Sequence, residues 1–180
     1  AFAYDKQGQL SQALYYAEQS SGYFAQVKWR RGQTIHENIL GDIYFRRGDY
    51  GAAMHLYQKV LDTHQKEGNK RHVLNMKRSI ANVYRRQGEY EMAWAIHQEL
   101  SAAYQQTNNQ LGLLLSLLPI GYEQMRRGLY LPAQQTYAHA LRLARVLELD
   151  DMVALATSHK GLLALRQQQW AAAQTLLQEA

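Results

Sequence analysis

The sequence predicts an all-α protein, a solenoid of antiparallel helix pairs holding about four to five repeats. Three observations predict it. Fixed residue classes return at intervals of 40, one alanine column among them has no exception, and stretches of good helix formers lie between short turn signals. Gly8, Gly48, Gly88 and Gly128 open the first column, with Gln168 in the fifth place. Two residues on come Leu10, Tyr50, Tyr90, Tyr130 and Trp170; five on come Ala13, Ala53, Ala93, Ala133 and Ala173. Seven residues before each glycine position stands a small residue, at Ala1, Gly41, Ala81, Gly121 and Gly161, followed three later by Tyr4, Tyr44, Tyr84, Gln124 and Ala164.

These columns justify the elements in turn. First helices are expected near 31–47, 70–87, 110–127 and 150–167, and second helices near 10–26, 50–66, 90–106, 131–147 and 170–180. A glycine takes the left-handed conformation that ends each first helix, because other residues adopt it only at a cost. Asp49 and Glu89 belong to the first turn of the next helix, where exposed amides and the helix dipole favour a carboxylate. The turns between pairs carry Gly32, Gly68 with Asn69, Asn108 with Asn109, and Asp150. Pro132 suits a first turn, whereas Pro119 falls mid-helix and should remove one backbone bond and bend the helix. Small residues in both helices of a pair let the backbones approach, while Tyr57, His97, Tyr137 and Leu177 fill the space around them. One pair cannot bury both of its faces, so neighbours stack. The expected organisation is a single array with repeats near 1–28, 29–68, 69–108, 109–148 and 149–180, read as a fragment of a longer chain.

Composition narrows the function. The chain has 180 residues, 47% of them hydrophobic, which is enough to bury a core. Cysteine is absent, so disulfides and thiolate metal sites are excluded. The longest apolar run, Leu111 to Ile120, is too short to span a membrane, and cytoplasm is the default location. The net charge of +5 comes from 20 cationic and 15 anionic side chains interspersed along the chain, a mild preference for an acidic partner and no more.

The order of small residue, Tyr, turn Gly, aromatic, Ala, aromatic and a small apolar residue at Val60, Leu100 and Ala140 resembles the tetratricopeptide repeat over essentially the whole chain. Two departures stand out: Glu37 and Lys77 replace the usual Trp, and Gln65 and Gln105 the usual closing Pro. The period of 40 exceeds the roughly 34 of the common form, lengthening the helices by roughly 9 Å per repeat. The chain is thereby similar to the long repeats of kinesin light chains, MalT-like regulators and Rap-type peptide receptors.

The resemblance implies a right-handed superhelix whose first helices line a concave groove, and a protein or peptide as partner. Its groove columns are polar in the first half, at Asn38, Asp42, Asn75, Arg78, Asn82 and Arg85. They are apolar in the second half, at Leu115, Leu118, Tyr122, Met125, Leu162 and Leu165. Asn pairs with a peptide backbone as donor and acceptor, Arg holds a carboxylate by two bonds, and the apolar set takes apolar side chains. The carboxylate clamp of chaperone-binding relatives is not reproduced, because Pro119 stands where a polar clamp residue belongs.

A cationic column, Lys6, Arg46, Arg86, Arg126 and Arg166 with Arg47 and Arg127 beside it, offers a ladder for phosphates, hence nucleic acid as an alternative partner. Each member also sits in the last turn of a first helix, where a cation interacts with free carbonyls. A third reading is an architectural spacer inside a multidomain enzyme. Catalysis by the chain itself is not expected. The seven histidines contain no metal-binding pair four apart, Glu148, Asp150 and Asp151 stand where capping acids belong, and there is no Gly-rich phosphate loop. No cofactor is expected.

Overall fold

The computed structural model describes residues 8–26 and 29–179. Among them the secondary structure is nine helices and no strand. By backbone contacts the chain divides into two compact units, Ala1–Glu89 and Tyr90–Ala180. The first holds α1 (Gly8–Gln26), α2 (Arg30–Arg47), α3 (Tyr50–Lys66) and α4 (Lys70–Gln87), each packed on the next. The second holds α5 (Tyr90–Gln106), α6 (Gln110–Arg126), α7 (Tyr130–Val146), α8 (Asp150–Arg166) and α9 (Trp170–Gln178), likewise packed in sequence, with α6 also touching α8. The helix positions agree with the periodic reading to within a few residues. Ala1, Tyr4 and Lys6 of the repeat columns lie outside the described residues, and Gly8 is the first residue of α1 rather than a turn.

The turns follow a tighter rule than the sequence discloses. A left-handed residue stands at 48, 68, 88, 108, 128, 148 and 168, once every 20 residues. At 48, 68, 88 and 128 it is glycine; at Asn108, Glu148 and Gln168 a side chain accepts the same conformation, at about 1 kcal/mol or somewhat more. The amide of that residue donates to the carbonyl three before it, and the next amide to the carbonyl five before it, as in Gly48 to Phe45 and Asp49 to Tyr44. The same pair recurs at Glu148 to Arg145 and Leu149 to Ala144. These bonds satisfy carbonyls that a helix end leaves open. Asp49 and Asn109 add N-caps by accepting from the amides of Ala52 and Gly112.

Packing within pairs explains the small-residue columns. A Cβ on Gly41 would lie 2.8 Å from the Tyr57 ring, one on Gly121 would lie 2.6 Å from the Tyr137 ring, and one on Gly161 would lie 2.8 Å from Leu177. The large side chain always comes 16 residues after the glycine, seated where a methyl would otherwise be. Ala53, Ala133 and Ala173 are fully buried for the same reason, marking backbone approaches in the partner helix. Burying Leu100 and Leu114 completely contributes roughly 1.5–3 kcal/mol each.

Two sequence expectations need correction. Gly32 is not in a turn; it is a buried residue of α2, and the Trp29 indole lies where its Cβ would be. Asp150 likewise belongs to α8 as its first residue, and Glu148 takes the left-handed position. Pro119 sits inside α6, which continues on both sides of it.

Candidate functional site

In the first unit two of the polar column residues, Asp42 of α2 and Asn82 of α4, share a cavity. Asp42, Phe45 and Arg46 of α2, Tyr57 of α3, and Ser79 and Asn82 of α4 enclose about 250 Å³. The Tyr57 hydroxyl donates to the Asp42 carboxylate at 2.6 Å, a short charge-assisted bond. Burial, and then that bond, push the Tyr57 hydroxyl far above the ordinary tyrosine range, so it stays a donor. Its donation holds one Asp42 oxygen and leaves the carboxylate's other lone pairs outside that bond. Arg46 supplies cationic donors, Ser79 a hydroxyl, and Asn82 both donor and acceptor. The mixture suits a ligand with alternating donors and acceptors, such as peptide backbone.

The other predicted polar residues are placed less simply. Asn75, Arg78 and Arg85 are half-buried on α4, outside the cavity lining. Asn38 is half-buried on α2 with its Oδ1 wholly buried and unpartnered. Column reading does not anticipate Ser79, and it assigns Arg46 to the cationic ladder and Tyr57 to packing alone. The spacing Asp42–Arg46, one helical turn, is the available signal that both share a face.

In the second unit the apolar set separates. Leu118 and Met125 are only 7% and 6% exposed, so they are core rather than groove residues. The reason is the position of α6, which packs against α5, α7 and α8 and is buried on most of its circumference. Leu115, Tyr122 and Leu165 are half-buried, and Leu162 is exposed. Tyr122 meets His159 edge-on, and His159 stacks on Tyr137.

Two members of the cationic group, Arg126 and Arg127, are engaged within the fold, whereas Arg46, Arg47, Arg86 and Arg166 are exposed. Arg126 and Arg127 each bond one oxygen of Glu123, at 3.0 and 3.1 Å, and Arg127 also pairs with Glu91. The Arg126 guanidinium lies over the Tyr90 ring and that of Arg127 over Trp94, 3.9 and 3.6 Å from the ring centres. Glu123 is 4% exposed and occupies a column otherwise filled by Ile43, Val83 and Leu163. Two arginines compensate that buried charge, and neither is left poised for a phosphate. A lone carboxylate in an apolar column is the sequence signal for this cluster. Among the described residues no group of three or more His, Asp or Glu side chains is arranged to hold a metal ion, and no helix is long and apolar enough to cross a membrane.

Residues 33–106 match the family model described as tetratricopeptide repeat. They are tetratricopeptide repeats. A search of curated proteins finds no match. Among solved structures, this chain is similar to a kinesin-light-chain-like protein of Podosopora anserina with nearly identical TPR-like repeats, at 17% identity and a TM-score of 0.73. That match covers 96% of this chain and 85% of the other. It is similar also to the apo form of RapI, at 14% identity and a TM-score of 0.77, covering 96% of this chain but 48% of RapI. BtubC from P. vanneervenii matches at 16% identity and a TM-score of 0.73, over 96% and 71% of the two chains. These likenesses give the all-α repeat-solenoid fold. A tetratricopeptide repeat domain is generally a protein-interaction scaffold and typically non-catalytic.

Proposed function

We propose that this chain is a peptide- or protein-binding tetratricopeptide segment, a cytoplasmic scaffold or sensor of a regulatory protein, whose ligand lies along α2 and α4. The observation that carries the reading is the cavity in which Asp42, Arg46, Ser79 and Asn82 present donors and acceptors around a fixed Tyr57 hydroxyl. Asn82 takes a backbone amide of the ligand, and Arg78 and Arg85, half-buried on the same helix, hold an acidic side chain. Considered by itself, the second unit offers Leu115, Tyr122, Leu162 and Leu165 to apolar side chains of a partner.

Random peptides displayed on phage, selected on the folded chain and then measured individually by fluorescence anisotropy, test this. Asn82→Ala and Arg78→Ala should each weaken the selected peptides by roughly 10-fold or more, the loss of a hydrogen bond to a charged or desolvated group. Melting curves should be unchanged, because both side chains are only half-buried. Peptides that bind both variants as tightly as the unaltered chain refute the α2–α4 site.

A further inference from the structure

A second and larger cavity, about 660 Å³, runs between α1 and α2. Its wall carries several rings: Phe24 lies 5.9 Å from Trp29 and 5.4 Å from His36, centre to centre, and Tyr16, largely exposed, also lines it. The space exists because of two small residues. At the position where Tyr57, His97, Tyr137 and Leu177 fill the later repeats, this pair has Ala17, and Ala17 lines the cavity. At Gly32 the missing side chain lets the Trp29 indole lie flat against α2. The volume falls within the roughly 300–1,000 Å³ of small-molecule pockets.

One polar atom gives this apolar space a chemistry. His36, 6% exposed, lines it, and its Nε2 is buried with no hydrogen-bond partner. The Ser20 hydroxyl gives its single proton to the Ala17 carbonyl at 2.8 Å and lies 3.2 Å from His36 Nδ1. With the Ser20 proton on that carbonyl, Nδ1 is the ring nitrogen that carries the proton and donates to Ser20, and Nε2 keeps a lone pair. Burial lowers the His36 pKa, so the ring is neutral near pH 7. An unmatched buried acceptor is unfavourable by roughly 1–3 kcal/mol, a cost that a donor brought by a ligand would relieve. Phe24 is half-buried with its ring centre 5.4 Å from that of His36, so its rotation would give a ligand's donor a path to Nε2.

We propose that the α1–α2 cavity binds a small apolar, ring-containing molecule bearing one hydrogen-bond donor, which stacks against the rings of Tyr16, Phe24 and Trp29 and donates to His36 Nε2. This site is separate from the α2–α4 peptide surface and does not depend on it.

The probes are 2-naphthol, which has the donor, and 2-methoxynaphthalene, which lacks it, titrated against the full chain by fluorescence and calorimetry. 2-Naphthol should bind more tightly by roughly 3- to 10-fold, the contribution of one net hydrogen bond. Ala17→Tyr, which restores the ring that residues 57 and 137 carry, should abolish binding of both. His36→Phe should retain both and erase the difference between them, which keeps the test informative if Ala17→Tyr folds poorly. Binding of neither probe overturns the proposal and assigns the cavity to a covering helix of another chain segment or protein. Equal affinities for the two probes, or a difference that survives His36→Phe, overturn it as well.

Discussion

Gly41→Ala and Gly51→Ala place the same methyl group in the same unit, in adjacent helices, and should change stability in opposite directions. Alanine is better than glycine in a helix by about 1 kcal/mol, and that gain is common to both, somewhat smaller at Gly51 in the first turn of α3. At Gly51 nothing lies within 4 Å of the new Cβ. At Gly41 it would lie 2.8 and 3.0 Å from two carbons of the Tyr57 ring and 3.5 Å from Leu56 Cβ. The ring has nowhere to go, since Tyr57 is 2% exposed and its hydroxyl is tied to Asp42 at 2.6 Å. Overpacking of this kind costs about 1–3 kcal/mol, so after the helix gain Gly41→Ala should lose up to about 2 kcal/mol net. With the roughly 2–4 °C per kcal/mol expected at this chain length, the melting temperature should fall by up to several degrees for Gly41→Ala and rise by about 1–3 °C for Gly51→Ala. Urea unfolding followed by circular dichroism provides the free energies, with Gly41→Ala repeated in a Tyr57→Leu background, where its penalty should shrink or vanish. A Gly41→Ala chain as stable as the unaltered one would refute the idea that the glycine column exists to seat the ring. So would a penalty that persists undiminished in the background without the ring.

The two buried tyrosines should respond differently to losing their hydroxyl. Tyr57→Phe removes the bond to Asp42 and should destabilise by about 0.5–1.5 kcal/mol, whereas Tyr137→Phe removes a buried hydroxyl with no partner and should be neutral or stabilising; chemical denaturation of both variants decides. Glu123→Gln should destabilise by about 1–3 kcal/mol on the same measure, below the usual loss for a broken buried pair because Arg126 and Arg127 remain partly solvated. Burial lowers the pKa of His36, of His72 (where neighbouring cations add to the effect) and of His139. The unfolded chain therefore binds protons first: above about pH 6.5 these groups impose no penalty, and stability should decline as pH falls from there through their folded-state values. His36→Phe should flatten part of that decline in melts between pH 7.5 and 5, and an unchanged pH slope would count against the buried neutral ring.

The helices are legible because backbone approach leaves marks that composition cannot imitate. Alanine at 53, 133 and 173 and glycine at 41, 121 and 161 follow from single steric requirements, and each is visible as a column. What the columns do not show is how much of a helix's circumference its neighbours cover. Leu118 and Met125 hold groove positions by register, yet α6 touches three helices and buries them. Side-chain chemistry across helices is equally hidden: nothing in the spacing of Asp42 and Tyr57 announces a 2.6 Å bond, and the paired arginines read as a ladder until Glu123 is recognised as their counter-charge. The repeat also conceals its own finer period, because the left-handed turn position at 108, 148 and 168 is not glycine.

That finer period bears on how such a chain is inherited. In the column at 41, 121 and 161 the glycine and the bulky residue that covers it lie 16 positions apart, and from 48 to 168 the turns recur every 20. A duplication or deletion of 40 residues, wherever its breakpoints fall, therefore delivers whole complementary pairs in phase with the bordering turns. Copy number can drift by recombination without a compensating change elsewhere. A breakpoint out of phase by a single residue would set large side chains against large ones and be removed by selection.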